Sequence, residues 1–488
     1  MPFYMHSQEK IRAKEAQALL ITAINTIDTL LLVTGVLLFV GFVTAGILSK
    51  LEREPTAFCR FLLAALILPA PFLLLGLLPF PGQAILGWIL LGLFWGTATA
   101  LLLPIRLTPA SPDGVPADRF DERDTIFSRA DLEPGSPRFK KYYEGRPENL
   151  QADDRFREQP GLLSPRSREA DRFAFAAVEA GFMTEEHLRF ITDGPVSAEQ
   201  TRVDPVEITR YIRGWAKYLG AHSVGFTLLK DYHLYTIGGR RDWYGKPIEN
   251  DHGYAIALTV EMDYQMTRRG PKPGTVMETA KQYLRAAEIA VQIAGFIRRL
   301  GYSARANISS HYEVICPLVA RDAGLGEIGR MGLLMTPRLG PRVRLSVVTT
   351  ELSLVADTRT FDSTMIAFCE TCEKCAEVCP SRSIPRGDRI EENGVLRWKI
   401  NPETCFTYWC KVGTDCSRCM AVCPYSHPDT FMHNLVRFLV KHSGVFRRLA
   451  PLLDDLLYGE KPRSMEPADW QRIPTIENTE TEFPAEKK

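Results

Sequence analysis

The chain has almost no charge imbalance and almost no cysteine outside one short region. Its 488 residues carry 59 Lys and Arg against 58 Asp and Glu, a net charge of +1, so no bulk positive field recruits nucleic acid. Of eleven cysteines, only Cys59 and Cys316 lie outside Cys369–Cys423, which excludes a disulfide framework spread through a secreted domain. No nicotinamide or flavin module is recognisable, and no internal repeat is present beyond two cysteine runs. The Gly-rich stretch "AGLGEIGRMGLLMTP" (323–337) has no lysine followed by Ser or Thr, so it is not a phosphate loop of that kind. Such length exceeds a single core, and two or three structural units are expected.

Charge is also missing from long N-terminal runs. Phe61–Leu78 and Ala84–Leu103 carry none, and Ala16–Leu48 is apolar apart from a few polar residues. About 20 apolar residues at 1.5 Å rise cross a hydrocarbon core of roughly 30 Å, so these are three membrane spans, the first near Thr29–Leu48 with Asp28 at its boundary. A cleaved signal peptide would not be followed by further apolar segments. Three crossings put the remainder of the chain on the side of Lys50, Arg53 and Arg60, with Arg106 just past the third span. The other side has Lys10, Arg12 and Lys14 and the uncharged turn "PFPGQ". This bias leans toward a cytoplasm-facing C-terminal part, and no twin-arginine pair precedes the first apolar segment.

The expected organisation is an anchor over 1–104, a Pro-, Asp- and Arg-rich linker and irregular wrapping segment over 105–168, a globular domain over 169–363, a cysteine domain over 364–432 and a C-terminal extension over 433–488. Within the globular part, apolar Tyr283, Ala287, Ala290, Ala294 and Ile297 recur at helical spacing up to Gly301. Residues 222–229, 254–262 and 343–350 read as mostly apolar strands. Helices between such strands predict an α/β or α+β domain with a mostly buried sheet. The Gly-rich stretch requires close approach of backbone to another element or to a flat cofactor.

Cys369, Cys372, Cys375 and Cys379 before Pro380 match the C-x2-C-x2-C-x3-C-P run of bacterial two-cluster ferredoxins, whose fourth thiolate reaches the other cluster. A second run ends in Cys416, Cys419 and Cys423 before Pro424. By the crossing rule, Cys369, Cys372, Cys375 and Cys423 hold one [4Fe-4S] cluster, and Cys379, Cys416 and Cys419 hold the other with Cys405 or Cys410. C-x2-C pairs also suit zinc, but two runs each closing on Cys-Pro point to iron–sulfur clusters.

Taken in order, "FDERDTIFSR" (120–129), "LGY" (300–302), "AGLGEIGRMGLLMTPRLGPRVRL" (323–345), the ferredoxin run and "CFTYWCKVGTDCSRCMAVCPYSHPD" (405–429) resemble the corrinoid and iron–sulfur reductive dehalogenases. The three spans resemble the small anchor protein that accompanies membrane-associated members, here fused to the catalytic chain. The resemblance implies a nitroreductase-like cobalamin-binding domain followed by a 2[4Fe-4S] ferredoxin domain. It implies an organohalide substrate whose halogen is replaced by hydrogen, and a base-off cobalamin (a corrinoid carrying cobalt) without a protein axial ligand. The DxHxxG pattern of lower-ligand domains is broken, with Thr236 following Asp231 and His233 where the glycine would stand. The family's pattern of a cysteine four residues before Trp matches Cys405 and Trp409, leaving Cys410 as an extra thiol. It further implies Tyr283 as proton donor and Arg344, or Arg342, as the cation beside it, a pairing that suits a phenol giving up a proton while halide leaves. Asn307 is a candidate substrate contact, and Gly324, Gly326 and Gly329 are candidate backbone near the corrinoid.

Two other readings compete. Epoxyqueuosine reductase, a tRNA enzyme, shares the corrinoid and two-cluster architecture, but Glu327 and Arg330-Met331-Gly332 depart from its AGLGWIGKN-like pattern. A membrane electron-transfer iron–sulfur subunit without its own substrate would not require the Glu169–Ser363 domain. The expected partners are an organohalide, the lipid bilayer and a quinol-linked or ferredoxin electron donor, with no nucleic acid.

Overall fold

Proline and glycine set the breaks in the apolar N-terminal fifth of the chain. The structure, a computed structural model, describes residues 2–78, 80–104, 110–309, 311–461 and 463–472, with side chains from residue 26 onward. Arg106, the side chains of Lys10, Arg12 and Lys14, and residues 473–488 of the expected extension lie outside the described residues. The chain forms two compact units. One gathers the N-terminal helices up to Ser111 with Ser363–Cys372 and His427–Lys461; the other holds Pro112–Asp362 and Glu373–Ser426 with the C-terminal residues.

In the first unit a helix runs over Pro2–Leu51, followed by Pro55–Ile67, Ala70–Leu77 and Gln83–Leu102. Thr26–Leu51, Pro55–Leu77 and Gln83–Leu102 are long and apolar enough to cross a membrane. Pro69 and Pro71 divide the second span because proline has no amide hydrogen to continue the ladder. Asp28 is met by Gln83, whose Nε2 donates to Asp28 Oδ1 at 2.9 Å and to the Leu75 carbonyl. Two costly polar side chains at the same end of the first and third spans thus satisfy each other. The helix Ser363–Cys372 and the pair Phe431–His442 and Gly444–Tyr458 complete this unit.

The second unit is built on an antiparallel sheet of β1 (Ser223–Leu228), β2 (Tyr254–Glu261), β3 (Ala304–Asn307) and β6 (Val343–Thr350), ordered β1-β2-β6-β3. Short β4 (Glu327–Ile328) and β5 (Leu334–Met335) pair separately. Antiparallel pairing makes the domain α+β. Phe226, Ile256 and Val348 lie in register and face the long helix Gly274–Arg299, packing with Ala286, Ala290, Ile293 and Ile297. Ala255, Ala257 and Val347 pack on the opposite face with Val319, Ala320 and Leu334. Both faces are covered, which is why β2 reads as a continuous apolar run rather than an alternating one.

The long helix starts at Gly274, ahead of Tyr283 where its apolar periodicity begins, and ends at Arg299, with Gly301 just beyond it. Gly301 has φ +86°, and a Cβ there would stand 2.6 Å from Gln200 Cα and the Glu199 carbonyl oxygen, so the stop is required sterically. The wrapping segment is more regular than its composition suggests. It contains helices Ile126–Ala130, Pro137–Gly145 and Leu150–Arg157, held by buried Asp153, which accepts from Arg129 at 2.9 Å and from the Tyr143 hydroxyl at 2.7 Å.

Candidate redox and catalytic site

Four thiols of the second unit come from three separate segments. Cys379 follows the short helix Lys374–Glu377, Cys405 lies on the helix Pro402–Val412, and Cys416 and Cys419 flank the start of the turn Arg418–Ala421. Burial pushes the Cys405 thiol up to about 12, with Cys416 and Cys379 adding to the rise. Burial pushes Cys416 up to about 11, and it raises Cys419 well above the ordinary thiol range, with Cys416, Cys405 and Cys379 adding to it. Cys379 goes the other way: burial raises it, but donors from Ser381, Ser383 and Ile384 outweigh that and stabilise its thiolate. The Ser383 amide donates to Cys379 Sγ at 3.3 Å. Neighbouring, partly buried thiols that oppose one another's ionisation become thiolates together only beside a cationic centre.

Cys410 is absent from this group. It is packed with Phe156 and Phe406, and burial, opposed by a backbone hydrogen bond from Leu162, pushes it up to about 11. Among the described residues no three His, Cys, Asp or Glu side chains converge as ligands of a single ion. Cys375 and Cys423 are buried in the second unit, and Cys369 and Cys372 lie on the Ser363–Cys372 helix of the first.

The Thr414–Ser417 loop carries the thiols to the long helix through hydroxyls. Thr275 Oγ1 donates to Ser417 Oγ at 2.8 Å, and Thr279 Oγ1 donates to Asp415 Oδ2 at 2.6 Å. Gly270 permits the same approach, since a Cβ there would meet the Cys416 carbonyl oxygen at 2.1 Å. One helical turn beyond Thr279 stands Tyr283, with the Arg344 guanidinium 5.0 Å from its ring centroid. Arg344 Nη2 donates to Thr279 Oγ1 at 2.8 Å and lies 3.4 Å from Asp415 Oδ2. Burial raises the Asp415 carboxyl, and the Arg344 charge opposes that rise.

Arg342 is differently employed. Fully buried, it donates to the Ser426 carbonyl at 2.9 Å, to Glu261 at 2.7 Å and to the Met262 carbonyl, and its guanidinium faces Tyr264 rather than Tyr283. Asn307 is fully buried, with its Oδ1 accepting the Glu313 amide at 2.8 Å. Its Nδ2 has no protein partner, and the same is true of Arg344 Nε and Ser346 Oγ. Orphaned buried polar atoms of this kind fit a domain that takes up a large polar ligand.

Gly324, Gly326 and Gly329 form a GxGxxG spacing, yet they follow the helix Cys316–Asp322 and enter β4, not the strand-to-helix turn of a dinucleotide site. At Gly326 the close neighbour is the chain itself: a Cβ would meet the Met335 carbonyl oxygen at 2.1 Å. The Gly329 amide donates to the Leu333 carbonyl at 3.0 Å. His233 is fully buried, with Nε2 3.0 Å from Asp322 Oδ2 and Nδ1 accepting the Lys230 amide at 3.2 Å, so neither ring nitrogen is open to a metal.

Thr279 and Asp415 escaped the sequence reading. Thr279 lies four residues before Tyr283 on the same helical face, and Asp415 immediately precedes a cluster-type cysteine; only the contact between those segments gives either a role.

The class defined here is an iron–sulfur protein whose cysteine domain is joined to an α+β sheet domain. Residues 368–427 match the 4Fe-4S dicluster domain family. By sequence and by fold the chain is a relative of the reductive dehalogenases. It is 31% identical over 294 residues to a tetrachloroethene reductive dehalogenase of Sulfurospirillum multivorans, covering 53% of this chain and 58% of that protein. It is 36% identical over 194 residues to one of Desulfitobacterium hafniense, covering 37% and 34%. The solved catabolic reductive dehalogenase NpRdhA superposes with a TM-score of 0.60 at 26% identity, covering 74% of this chain and 50% of that one. The structure of a reductive dehalogenase reported with a mechanism for B12-dependent dehalogenation gives a TM-score of 0.59 at 26% identity, covering 74% and 49%. The chain thus spans from about a third to under three fifths of the length of these relatives.

Proposed function

We propose that the chain is a membrane-anchored reductive dehalogenase that replaces halogen with hydrogen on an organohalide. Two electrons and one proton convert the carbon–halogen bond to carbon–hydrogen and release halide. Cobalamin, when bound, supplies the reductive cleavage, and two [4Fe-4S] clusters supply electrons one at a time. Cys379, Cys405, Cys416 and Cys419 hold one cluster, and Cys369, Cys372, Cys375 and Cys423 hold the other. The donor is quinol-linked or a reduced ferredoxin, and the second unit faces the cytoplasm.

The observation that carries this reading is Tyr283 beneath Arg344, one helical turn from the loop that bears Cys416. The Tyr283 hydroxyl delivers the proton, and Arg344 offers positive charge where halide charge grows. Thr279 and Asp415 hold the guanidinium over the ring. The occupied nitrogens of His233 support a cobalamin without a protein lower ligand, and the unpartnered Asn307 Nδ2 is a hydrogen-bond donor for substrate.

Metal content with an EPR spectrum, on protein made anaerobically with cobalamin, tests this. About one cobalt and about eight irons per chain are expected, with the spectrum of a cobalamin lacking a nitrogen lower ligand. Iron without cobalt would instead support an electron-transfer subunit. Weaker likeness to epoxyqueuosine reductase, 29% over 114 residues, makes tRNA turnover the second assay on loaded protein.

A further inference from the structure

The helices Phe431–His442 and Gly444–Tyr458 pack on each other within the first unit and leave large apolar side chains uncovered. On the first helix, Phe431, Leu435 and Phe438 follow at steps of four and three; Phe431 is 79% exposed and Phe438 54%. On the second, Leu449, Leu452, Leu453 and Leu456 follow at three, one and three; Leu452 and Leu456 are each 64% exposed. Their opposite sides are already buried, through Val440, Ala450 and Pro451 among others. The uncovered stripes are contiguous rows at helical spacing, larger than scattered surface leucines account for.

The same hairpin is tied to the ends of the apolar helices. His433 Nε2 lies 3.0 Å from Glu52 Oε2, one residue past the first span. Arg60 Nη1, near the start of the second span, donates to the Leu456 carbonyl at 2.6 Å and the Asp455 carbonyl at 3.2 Å. His427 and His433 stack with centroids 4.6 Å apart, and His427 reaches Asp454 at 2.8 Å, joining the two helices at this point. These ties fix the hairpin at the level where the spans leave hydrocarbon. Lys441 and Arg448 are exposed beside the apolar stripes.

We propose that this hairpin lies in the membrane interface, with its Phe and Leu stripes seated at the headgroup–acyl boundary of the bilayer crossed by the three helices. Anionic phospholipid is the occupant. An amphipathic helix with apolar side chains on one face and cations at its flank has this chemistry, and its attachment to Glu52 and Arg60 brings the stripe to the correct depth. The inference rests on the spans being membrane spans.

The test uses the full cluster-loaded chain in phosphatidylglycerol–phosphatidylcholine vesicles, with Cys59→Ser as background. An environment-sensitive fluorophore is attached in turn at Leu452→Cys, at Leu66→Cys within the second span, and at Tyr218→Cys, 85% exposed in the second unit. At 452, nitroxide lipids with a shallow label should quench at least twofold more than deep ones, and aqueous iodide should quench little. The pattern should persist when protein is diluted tenfold in lipid. Iodide quenching at 452 equal to that at 218, with lipid quenching retained at 66, overturns the interfacial hairpin while leaving the spans intact. Protection at 452 that is lost on dilution also overturns it, in favour of contact between copies. Absence of lipid quenching at both 66 and 452 overturns the span reading beneath it.

Discussion

Arg344 shares one threonine hydroxyl with Asp415 and lies over the Tyr283 ring. A lysine would carry the charge but not the planar fork that contacts Thr279 and the ring together. At the cysteines, residue identity decides cluster content. Cys405 is electrostatically coupled to Cys416 and Cys379, and Cys410 is packed against aromatics. Cys410→Ser should therefore retain about eight irons per chain and Cys405→Ser should lose about four. The reverse pattern in iron analysis would transfer the ligand role to Cys410. Spacing left these two cysteines open because the second run is stretched; Cys410 is packed with Phe156, a residue distant in sequence, and spacing does not show that contact.

His311 supplies a pH dependence outside the cysteine region. Burial, reinforced by the Arg305 charge, pushes its pKa down to about 4, while its Nε2 accepts from Arg305 at 3.0 Å and from Trp243 at 3.3 Å. The unfolded chain takes up the proton first, near pH 6.5. Stability contributed by neutral His311 is thus complete above about 6.5, falls as pH falls toward about 4, and is level below that. The loss is on the order of 3 kcal/mol. Thermal unfolding in detergent should show a smaller drop in Tm from pH 7 to pH 5 for His311→Gln than for the parent chain; an equal drop would remove His311 from the account.

At the scale of elements, β1, β2 and β6 were legible as apolar runs because both faces of the sheet are covered. β3 was not, since "ARAN" carries Arg305 and Asn307, whose polarity is absorbed by Glu313 and the following loop. Two-residue β4 and β5 leave no periodicity to read, although the glycines around them announced a close approach. The partner at Gly326 is the Met335 carbonyl. Gly326→Ala forces backbone atoms apart and should lower Tm by several degrees or abolish folded protein. Gly214→Ala, on the helix Pro205–Tyr218 with nothing within 4 Å, should leave Tm unchanged or raise it. Equal behaviour of the two variants would show that the Gly326 approach is not sterically required.

At the scale of the whole molecule, three apolar helices and a dicluster domain were readable from hydropathy and cysteine spacing alone. The grouping of Phe431–His442 and Gly444–Tyr458 with the N-terminal helices was not, because it depends on Glu52 and Arg60 meeting residues nearly 400 positions away. Lys50, Arg53 and Arg60 on the loop side of the spans favour a cytoplasm-facing second unit. A membrane-impermeant maleimide should label Tyr218→Cys in inside-out vesicles and leave it unlabelled in intact cells. Labelling in intact cells would reverse the orientation.

In the proposed reaction a proton from Tyr283 and electrons delivered through the cysteine domain exchange halogen for hydrogen. Its most direct test is halide release by the cobalamin- and cluster-loaded chain with a low-potential reductant, offered a panel of organohalides and assayed beside Tyr283→Phe. Halide should appear in equal amount to the hydrogen-substituted product, and the variant should retain cobalt and iron while turning over about 100-fold more slowly or worse. Halide release at the parental rate from Tyr283→Phe, or none from the loaded parent chain while it still oxidises the reductant, would contradict the account.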